Sequence, residues 1–575
     1  MSIDLTQKSK ELKDYVGQYE TKAFLGHVTS LIQFIRSDAP LSTLKGLSSP
    51  QRQLYYLAGL NVSAKIPEGY SLKTQLTDDD FEHVKNLLNE IEEGYTQFFY
   101  PKSDEEVNEN WLAKRQVAMP TFLSYFNQGQ LNYEEQIIER VIDHFAAFDR
   151  EILAHFTLSV QDFVDIYNFI DGFANEYLME KINKKPNQQT WEQFCEEMKE
   201  KNLMPWEWQE HLPEHYKNFF EFMDDPGLVH RYSRNKVIAK FGKAKTNKFL
   251  ELFSCKREES TFLYYTENNV LHNKPIYEIG NEEFQSIEMK QIIHAIYNTL
   301  MQFCTSSQNL KERFYANRGS SLEDKIEKIF KAFFNNKCFV HKGYYTQDKH
   351  EQDLLIITDG LALIVEAKAS KRDEPRRDPD KAYPLILTNF NETIQKGYDQ
   401  AYRVKSKFID RTPLNIYKDQ MLKHHIVDIK TKNYHHAFSI IVTLERFGQI
   451  QTDLEEMLEI WDDDEFPWSI CLDDLEVFLL QLKKMRGKTS DFVRFLKLRQ
   501  GLHGKLVTAD ELDVCGSFLT GEIYKYPIQQ KKKIGISPKH SSIFDITYQT
   551  ERLGLTNEKN VELKSSGRYR PLGGY

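Results

Sequence analysis

The sequence predicts an α/β protein in which a central mixed sheet is flanked by helices. A large, mainly α-helical region precedes this core, and a small helical extension follows it. Three observations lead to this prediction. Apolar residues recur at helical spacing through the first 245 residues, two apolar strand-like runs meet at an Asp-Gly pair, and further strand-like runs alternate with helical segments up to residue 485.

The domain organisation is predicted from the chain length and from changes in the pattern of apolar residues along the sequence. A chain of 575 residues is too long for one compact domain, so we expect several units. The predicted segments are a helical N-terminal region at 1–245, a mixed α+β connecting region at 246–310, the α/β core at 311–485, and a helical or irregular C-terminal extension at 486–575. Within the connecting region, 261–266 and 274–280 look like short strands.

The N-terminal region contains clear helix start signals. Pro50 follows Ser49 at a position suited to the first turn of a helix, and Thr77 precedes three aspartates that suit the positive end of the helix dipole. Residues 233–254 form a basic helix–Gly–helix pattern. This pattern fits either a helix-turn-helix that reads DNA or two ordinary packed helices. The region as a whole suits a scaffold that binds a protein partner or a second copy of the chain.

Composition excludes several classes of protein. The formal net charge of −10 differs from that of a small basic nucleic-acid-binding domain. No apolar run approaches the length of a membrane span and the N-terminus lacks an apolar signal segment, so we expect no membrane contact and a cytoplasmic location. The six cysteines show no CxxC spacing, and no P-loop pattern occurs.

The most informative stretch is a predicted hairpin between Asp353 and Ala369. If Asp359 and Gly360 form its two-residue turn, residues whose numbers sum to 719 pair across the two strands. Asp353 then lies opposite Glu366, with Cβ atoms roughly 4.5–5.5 Å apart. Because a strand repeats every two residues, Lys368 points to the same face of the sheet as Glu366.

This arrangement indicates a metal-dependent chemistry. Two carboxylates that face each other across a hairpin repel unless a positive charge neutralises them. Mg²⁺, or Mn²⁺ in its place, suits such a pair because it binds a few carboxylates together with water and phosphate oxygens. A lysine beside that water can orient or deprotonate it. Asp353, Glu366 and Lys368 together therefore predict hydrolysis of phosphodiester bonds.

The same residues resemble the PD-(D/E)XK, or restriction-endonuclease-like, nuclease superfamily. Asp353 matches its motif Asp, and Glu366-Ala367-Lys368 matches its (D/E)-x-K, although Gln352 stands where the family often has Pro. The resemblance implies an α/β nuclease core. It also implies that Asp353 and Glu366 ligate the metal, while Glu323, in the preceding helix, supports the metal shell or its water. In the following helix Gln400, with Gln395 as second choice, would orient the site or contact the substrate backbone.

The resemblance implies a metal-dependent nuclease, with DNA as the favoured substrate and bacterial antiviral defence as a role. Two other interpretations stay open. One is a catalytically inactive nuclease fold that binds nucleic acid or serves as a scaffold subunit of a larger complex. The other is a regulatory assembly protein whose function lies in its helices.

Charge near the hairpin favours a nucleic-acid substrate. Residues 311–411 contain 20 Lys and Arg against 16 Asp and Glu, a net charge of +4. Lys371, Arg372, Arg376 and Arg377 follow the motif and either contact phosphates or form a solvated loop. By contrast, residues 453–476, the acidic segment, hold eleven acids and no Lys or Arg, and residues 462–468 within it look like an exposed acidic loop. Such a loop would repel nucleic acid, bind a basic partner or simply be solvated.

Overall fold

The computed structural model describes residues 3–35, 44–67, 69, 71–101, 107–127, 132–177, 181, 189–280, 282–370, 379–508, 510–526 and 533–551. The chain forms two compact units. The first contains Met1–Gln97 and Ile137–Leu310, and the second contains Phe98–Gln136 and Lys311–Tyr575.

The helices and strands are numbered in chain order. The helices are α1 (Leu5–Val16), α2 (Thr21–Phe34), α3 (Pro50–Ser63), α4 (Asp78–Thr96), α5 (Glu109–Asn127), α6 (Glu134–Phe145), α7 (Asp149–Phe156), α8 (Val160–Tyr177), α9 (Trp191–Glu200), α10 (Trp208–His211), α11 (Glu214–Asp224), α12 (Arg234–Phe241), α13 (Lys243–Phe253), α14 (Val270–Asn273), α15 (Met289–Cys304), α16 (Gln308–Phe333), α17 (Pro379–Phe390), α18 (Lys396–Ile409), α19 (Gln449–Thr452), α20 (Leu472–Lys484), α21 (Thr489–Gln500), α22 (Glu511–Leu519) and α23 (Ser542–Glu551). The strands are β1 (Arg231–Ser233), β2 (Ser254–Cys255), β3 (Ile276–Glu278), β4 (Glu283–Ser286), β5 (Phe339–Tyr345), β6 (Glu351–Thr358), β7 (Leu361–Lys368), β8 (Leu414–Tyr417), β9 (His425–Ile429), β10 (His436–Thr443), β11 (Trp468–Cys471), β12 (Leu506–Val507) and β13 (Ile534–Gly535).

The first unit is mainly helical, and its helices begin where the sequence indicates. Pro50 is the first residue of α3, and Thr77 caps α4. The Thr77 hydroxyl accepts from the Asp80 backbone N–H, and the Asp80 carboxylate accepts from the Thr77 backbone N–H. This reciprocal capping satisfies two donors that the first turn of a helix leaves without partners.

A small sheet also lies in the first unit, with strand order β1-β4-β3-β2. The expected strand at 274–280 is present as β3. The expected strand at 261–266 is wrong, because this stretch forms irregular backbone and a turn. Its aromatic residues pack without a strand partner: the Phe262 ring lies 5.8 Å from the Tyr56 ring in an edge contact. Aromatic residues are enriched in strands, so their presence at 261–266 led to a wrong strand prediction.

The second unit is built on a seven-stranded mixed sheet of order β11-β10-β7-β6-β5-β8-β9. Strand β10 runs parallel to both of its neighbours, β7 and β11. Strand β6 runs antiparallel to β7 and to β5. Apolar residues on one face of β6, β7 and β10 join a buried core with α16, α20, α21 and α22. Helix α18 packs on β7 and β10. The predicted mixed sheet flanked by helices is confirmed.

None of the helices in the described segments combines the length and the apolar character that a membrane crossing requires.

Candidate active site

The hairpin formed by β6 and β7 has the register expected from the sequence. Leu354 pairs with Val365, and Thr358 pairs with Leu361, so the numbers of paired residues sum to 719. Gly360 in the turn has a φ of +69°, which a residue with a Cβ rarely adopts. Continued by one position, this register sets Asp353 on β6 opposite Glu366 on β7. The register prediction is confirmed.

Asp353, Glu366 and Lys368 converge at this end of the hairpin. Lys368 Nζ lies 2.9 Å from Glu366 Oε2 and 3.5 Å from Asp353 Oδ2. Asp353 Oδ2 also accepts a hydrogen bond of 2.7 Å from the Ala367 backbone N–H, which fixes the carboxylate against β7. The two strands therefore hold two acids and one cation as a single cluster.

Gln400 joins this cluster from helix α18. Its Oε1 accepts a hydrogen bond of 2.6 Å from Lys368 Nζ. Helix α18 comes this close because Gly397 has no side chain: a Cβ there would lie 2.9 Å from Ile441 Cγ2 and 3.1 Å from Lys368 Cε. The sequence reading missed Gly397, although a glycine one turn before the candidate glutamine was a usable signal for close packing.

Gln395, the second candidate, contacts the backbone of Glu459. It lies in a π-helical turn, Asn391–Gln395, directly before α18. Gln395 Nε2 donates to the Glu459 carbonyl, and the Glu459 backbone N–H donates to Gln395 Oε1, both over 2.9 Å. Gln395 therefore binds the backbone of the acidic segment (residues 453–476) at Glu459. Gln400 is the glutamine that contacts Lys368.

Glu323 lies on helix α16, and its carboxyl group interacts electrostatically with Asp353 of the cluster. Burial, followed by the negative charge of Asp353, raises the pKa of the Glu323 carboxyl to about 7. Glu327, one turn later, forms an ion pair of 2.6 Å with Lys331 and is engaged along its own helix. Of the two helical glutamates, Glu323 is the one coupled to Asp353.

Glu366 carries the strongest electrostatic cost in the cluster. Its side chain is fully buried, and its Oε1 has no hydrogen-bond partner in the described part of the chain. Burial raises the pKa of Glu366 to about 8, and the charge of Asp353 adds to this shift while Lys368 opposes it. A buried carboxylate oxygen without a partner is unfavourable, and a cation beside it would offset that cost.

The residues fit a divalent cation only in part. Among all residues with a described placement, no group of three or more His, Cys, Asp or Glu side chains is arranged to hold a metal ion. Glu323 therefore does not complete a three-carboxylate metal group with Asp353 and Glu366 among the described residues. The facing pair Asp353 and Glu366, with the unused Glu366 oxygen, supplies the hard oxygen ligands that Mg²⁺ prefers.

The acidic loop predicted at 462–468 is exposed at Asp462, Asp463 and Glu465, but Asp464 within it is an exception. The Asp464 side chain is 1% exposed and forms an ion pair with Lys405 of α18. Tyr398 donates to Asp464 Oδ2 over 3.1 Å. The Trp461 ring stacks on Tyr402 at 5.1 Å with an interplanar angle of 7°. Helix α18 thus contacts Lys368 through Gln400. The same helix contacts the acidic segment through Tyr398, Tyr402 and Lys405.

Several acids later in the same stretch are also buried. Asp474 accepts from Arg446, and Glu476 lies 2.7 Å from Lys325 of α16. A run of like charges usually predicts a solvated surface. The rule fails for Asp464, Asp474 and Glu476, because the cations that pair with them lie outside the acidic stretch of the sequence.

The basic residues Lys371, Arg372, Arg376 and Arg377 lie outside the described residues. Their role in contacting phosphates stays a prediction.

Comparison with known proteins adds no relative. No protein-family model, no curated protein and no solved structure matches the chain.

Proposed function

We propose that the chain is a metal-dependent nuclease of the PD-(D/E)XK type that hydrolyses phosphodiester bonds, with DNA as the favoured substrate. One observation carries the proposal. The hairpin places Asp353 and Glu366 face to face, and Lys368 contacts both of them and Gln400. Buried groups of like charge are costly, so such a cluster is typical of a functional site.

Asp353 and Glu366 would hold Mg²⁺, or Mn²⁺ in its place. When bound there, the ion would polarise the scissile phosphate and lower the pKa of a water molecule. The chain's own contribution starts with Lys368, whose ammonium would orient the attacking water and offset charge on the phosphate. Gln400 would keep Lys368 Nζ in position by accepting its hydrogen bond.

Glu323 would support the metal ion or its bound water from α16. In the metal-free protein burial and the charge of Asp353 raise the pKa of Glu323 to about 7, and a cation bound beside Asp353 would lower that pKa. The segment with Lys371, Arg372, Arg376 and Arg377 would contact the phosphates of the substrate. The helical N-terminal region would bind a protein partner or a second copy, and a role in antiviral defence in the cytoplasm follows by analogy.

A specific observation favours one second candidate, a non-catalytic nucleic-acid-binding or scaffold protein. Lys368 already neutralises part of the charge on Asp353 and Glu366. A site that is neutralised internally could keep its fold without binding a metal ion.

Cleavage assays separate the two functions. Purified protein is incubated with plasmid DNA, single-stranded DNA and RNA, in Mg²⁺ or Mn²⁺ and then in EDTA. We expect cleavage that EDTA abolishes and that Lys368→Ala lowers by about a hundredfold or more. Lys328→Ala, at an exposed position of α16, is the matched control and should cleave like the wild type. Binding without cleavage in every metal would support the second candidate.

A further inference from the structure

The two strands at one edge of the seven-stranded sheet, β8 and β9, form a basic surface together with the residues beside them. We call residues 411–432 the basic ribbon. It contains five Lys and Arg against two Asp, a net charge of +3 in a chain whose formal net charge is −10. Asp410, directly before this segment, leaves the balance positive. All five cations are exposed: Arg411, Lys418, Lys423, Lys430 and Lys432.

The two acids of the basic ribbon are engaged inside it. Asp419 accepts from the backbone N–H groups of Lys423 and His424 over 3.3 and 2.9 Å, and its Oδ2 also accepts from His424 Nδ1 over 2.8 Å. Asp428 accepts from His425 Nε2 over 2.6 Å. Neither acid forms an ion pair with a Lys or Arg that the structure describes. The five cations therefore keep their charge available for an external anion.

Hydrogen bonds hold the basic ribbon at both ends. At the tip, the Lys418 backbone N–H donates to the His424 carbonyl over 2.8 Å. At the open end, Thr431 Oγ1 donates to the Thr412 carbonyl over 2.8 Å. Between these ends, Leu414 of β8 is fully buried and anchors the ribbon to the sheet. The cations thus stand on an ordered frame, which lowers the entropy cost of binding.

The basic ribbon lies at the end of the sheet that carries Asp353. Tyr417 of β8 pairs with Tyr345 of β5. Tyr345 also pairs with Glu351 of β6, two residues before Asp353. The strands follow in the order β6-β5-β8-β9, and neighbouring strands lie about 4.8 Å apart, so β9 is roughly 14 Å from β6. A long ligand held at Asp353 can therefore reach the basic ribbon.

The five cations stand in two groups, one at each end of β8 and β9. Lys418 and Lys423 lie at the tip, and the other three lie at the open end. Strand β8 has four residues, so it separates the groups by roughly 13 Å. The major groove of a DNA duplex is about 12 Å wide, admits a two-stranded β-ribbon and has a phosphate backbone on each side. The spacing of the two groups therefore matches a duplex.

Two other roles fit these residues less well. Proteins bind single strands by stacking bases on exposed aromatic rings, but the only Phe, Tyr or Trp of the basic ribbon, Tyr417, is half-buried. Its ring makes an edge contact with His425 at 5.5 Å. Lysines also protect edge strands against pairing with another sheet. The cations do not have that place, because none of the five lies within β8 or β9.

We propose that the basic ribbon binds the phosphate backbones of a DNA duplex and holds it about four base pairs from the Asp353 site. A duplex advances about 3.4 Å per base pair, so a duplex laid across the strands covers the distance from β6 to β9 in about four. The contacts go to phosphates and are therefore independent of base sequence. The proposal rests on the proposed function for the choice of DNA, but it concerns binding and does not require cleavage.

Fluorescence anisotropy of the full chain in EDTA tests the proposal without cleavage. The probes are a labelled DNA duplex of about 20 base pairs and a single strand of the same length. We expect the duplex to bind about tenfold more tightly than the single strand. The triple variant Lys418→Ala/Lys423→Ala/Lys430→Ala should bind the duplex about tenfold or more weakly. Each lost phosphate contact should also lower the slope of log affinity against log salt by about 1.

Lys328→Ala/Lys337→Ala/Lys497→Ala is the matched control, because it removes the same charge from exposed lysines of the same unit outside the basic ribbon. It should bind the duplex like the wild type. Melting temperatures of all variants are compared. If the triple alanine variant of the ribbon fails to fold, the double variant Lys430→Ala/Lys432→Ala serves as the readout and should also bind more weakly.

The outcomes separate this assignment from the proposed nuclease activity. Duplex binding that weakens only in the ribbon variants, in a protein that cleaves nothing in Mg²⁺, would support the basic ribbon and contradict the nuclease. Cleavage of duplex DNA with unchanged binding in the ribbon variants would do the reverse. Three further results would overturn the assignment: no duplex binding by the wild type, an equal loss in the control variant, or a single strand that binds as tightly as the duplex.

Discussion

Lys368 Nζ lies 2.9 Å from Glu366 Oε2, yet the second oxygen of the Glu366 carboxylate has no partner in the described part of the chain. The ion pair therefore offsets only part of the cost of burying this acid. Burial and the charge of Asp353 outweigh Lys368 and raise the pKa of Glu366 to about 8. The free protein thus keeps an electrostatic cost at Glu366, where we propose that a divalent cation binds.

This cost predicts that Glu366→Gln stabilises the metal-free protein at high pH. The folded pKa is about 8 and the ordinary value is 4.5, so the folded state holds the extra proton between these values. The contribution of Glu366 to stability is complete below pH 4.5 and is lost as pH rises through 8. Each pKa unit corresponds to about 1.4 kcal/mol, so the loss is on the order of a few kcal/mol.

Hydrogen exchange of the β7 amides in EDTA measures the change in stability at Glu366 locally. A local measurement is needed because the two units of the chain need not unfold together. Glu366→Gln should protect β7 better than the wild type at pH 8.5 and about equally at pH 5. Asp348→Asn, at an exposed turn position, should change neither value. Equal or weaker protection of Glu366→Gln at pH 8.5 would contradict the assigned cause.

The two candidate glutamines should differ in what they control. Gln400→Ala removes the acceptor of Lys368 Nζ and should lower cleavage about tenfold or more, with little change in stability. Gln395→Ala removes two hydrogen bonds to Glu459 and should speed hydrogen exchange in the acidic segment while cleavage falls less. Cleavage rates and hydrogen exchange are measured on both variants. A larger cleavage loss in Gln395→Ala would reverse their assigned roles.

The buried Lys405–Asp464 pair should be strongly coupled. Removing one partner leaves a buried charge alone, so Lys405→Met or Asp464→Leu should each cost about 3–5 kcal/mol. The double variant should cost much less than the sum of the two, because neither charge remains. A double-mutant cycle by urea denaturation measures the coupling. The exposed pair Lys525–Glu522 is the control, with an expected coupling below about 1 kcal/mol. Additive losses at Lys405 and Asp464 would show that the pair is not coupled.

The hairpin could be predicted because its signals are local. A two-residue Asp-Gly turn fixes the register, and the two-residue period of strands then places Asp353, Glu366 and Lys368 on one face. Glu323 and Gln400 needed the family resemblance, since neither helix reveals from its own sequence which residue faces the sheet.

Contacts between distant parts of the chain could not be predicted in this way. The burial of Asp464 and Asp474 could not be predicted, because their partners Lys405 and Arg446 lie outside the acidic stretch. Likewise, nothing in the sequence of Phe98–Gln136 indicates that this segment belongs to the same unit as the hairpin. Such contacts depend on packing of whole elements, which periodicity and turn signals do not report.

His503 predicts how the second unit responds to acid. Its ring is buried, and its Nδ1 accepts a hydrogen bond of 3.1 Å from the Leu454 backbone N–H, which requires the neutral ring. Burial, with the nearby charge of Arg499, lowers the pKa of His503 well below 6.5. The unfolded chain therefore binds the proton more readily than the folded one. Stability from this residue is complete above pH 6.5 and is lost as pH falls below it.

The variant His503→Asn should weaken that pH dependence, because an Asn Oδ1 can accept from Leu454 without titrating. Below pH 6.5 the wild type should lose up to about 1.4 kcal/mol more per pH unit than the variant. Other acids titrate in both proteins, so the difference between their denaturation curves at pH 7.5, 6.5 and 5.5 isolates the histidine. His435→Asn, at an exposed ring, should follow the wild type. If His503→Asn and the wild type lose stability in parallel, protonation of His503 does not limit the acid stability of this unit.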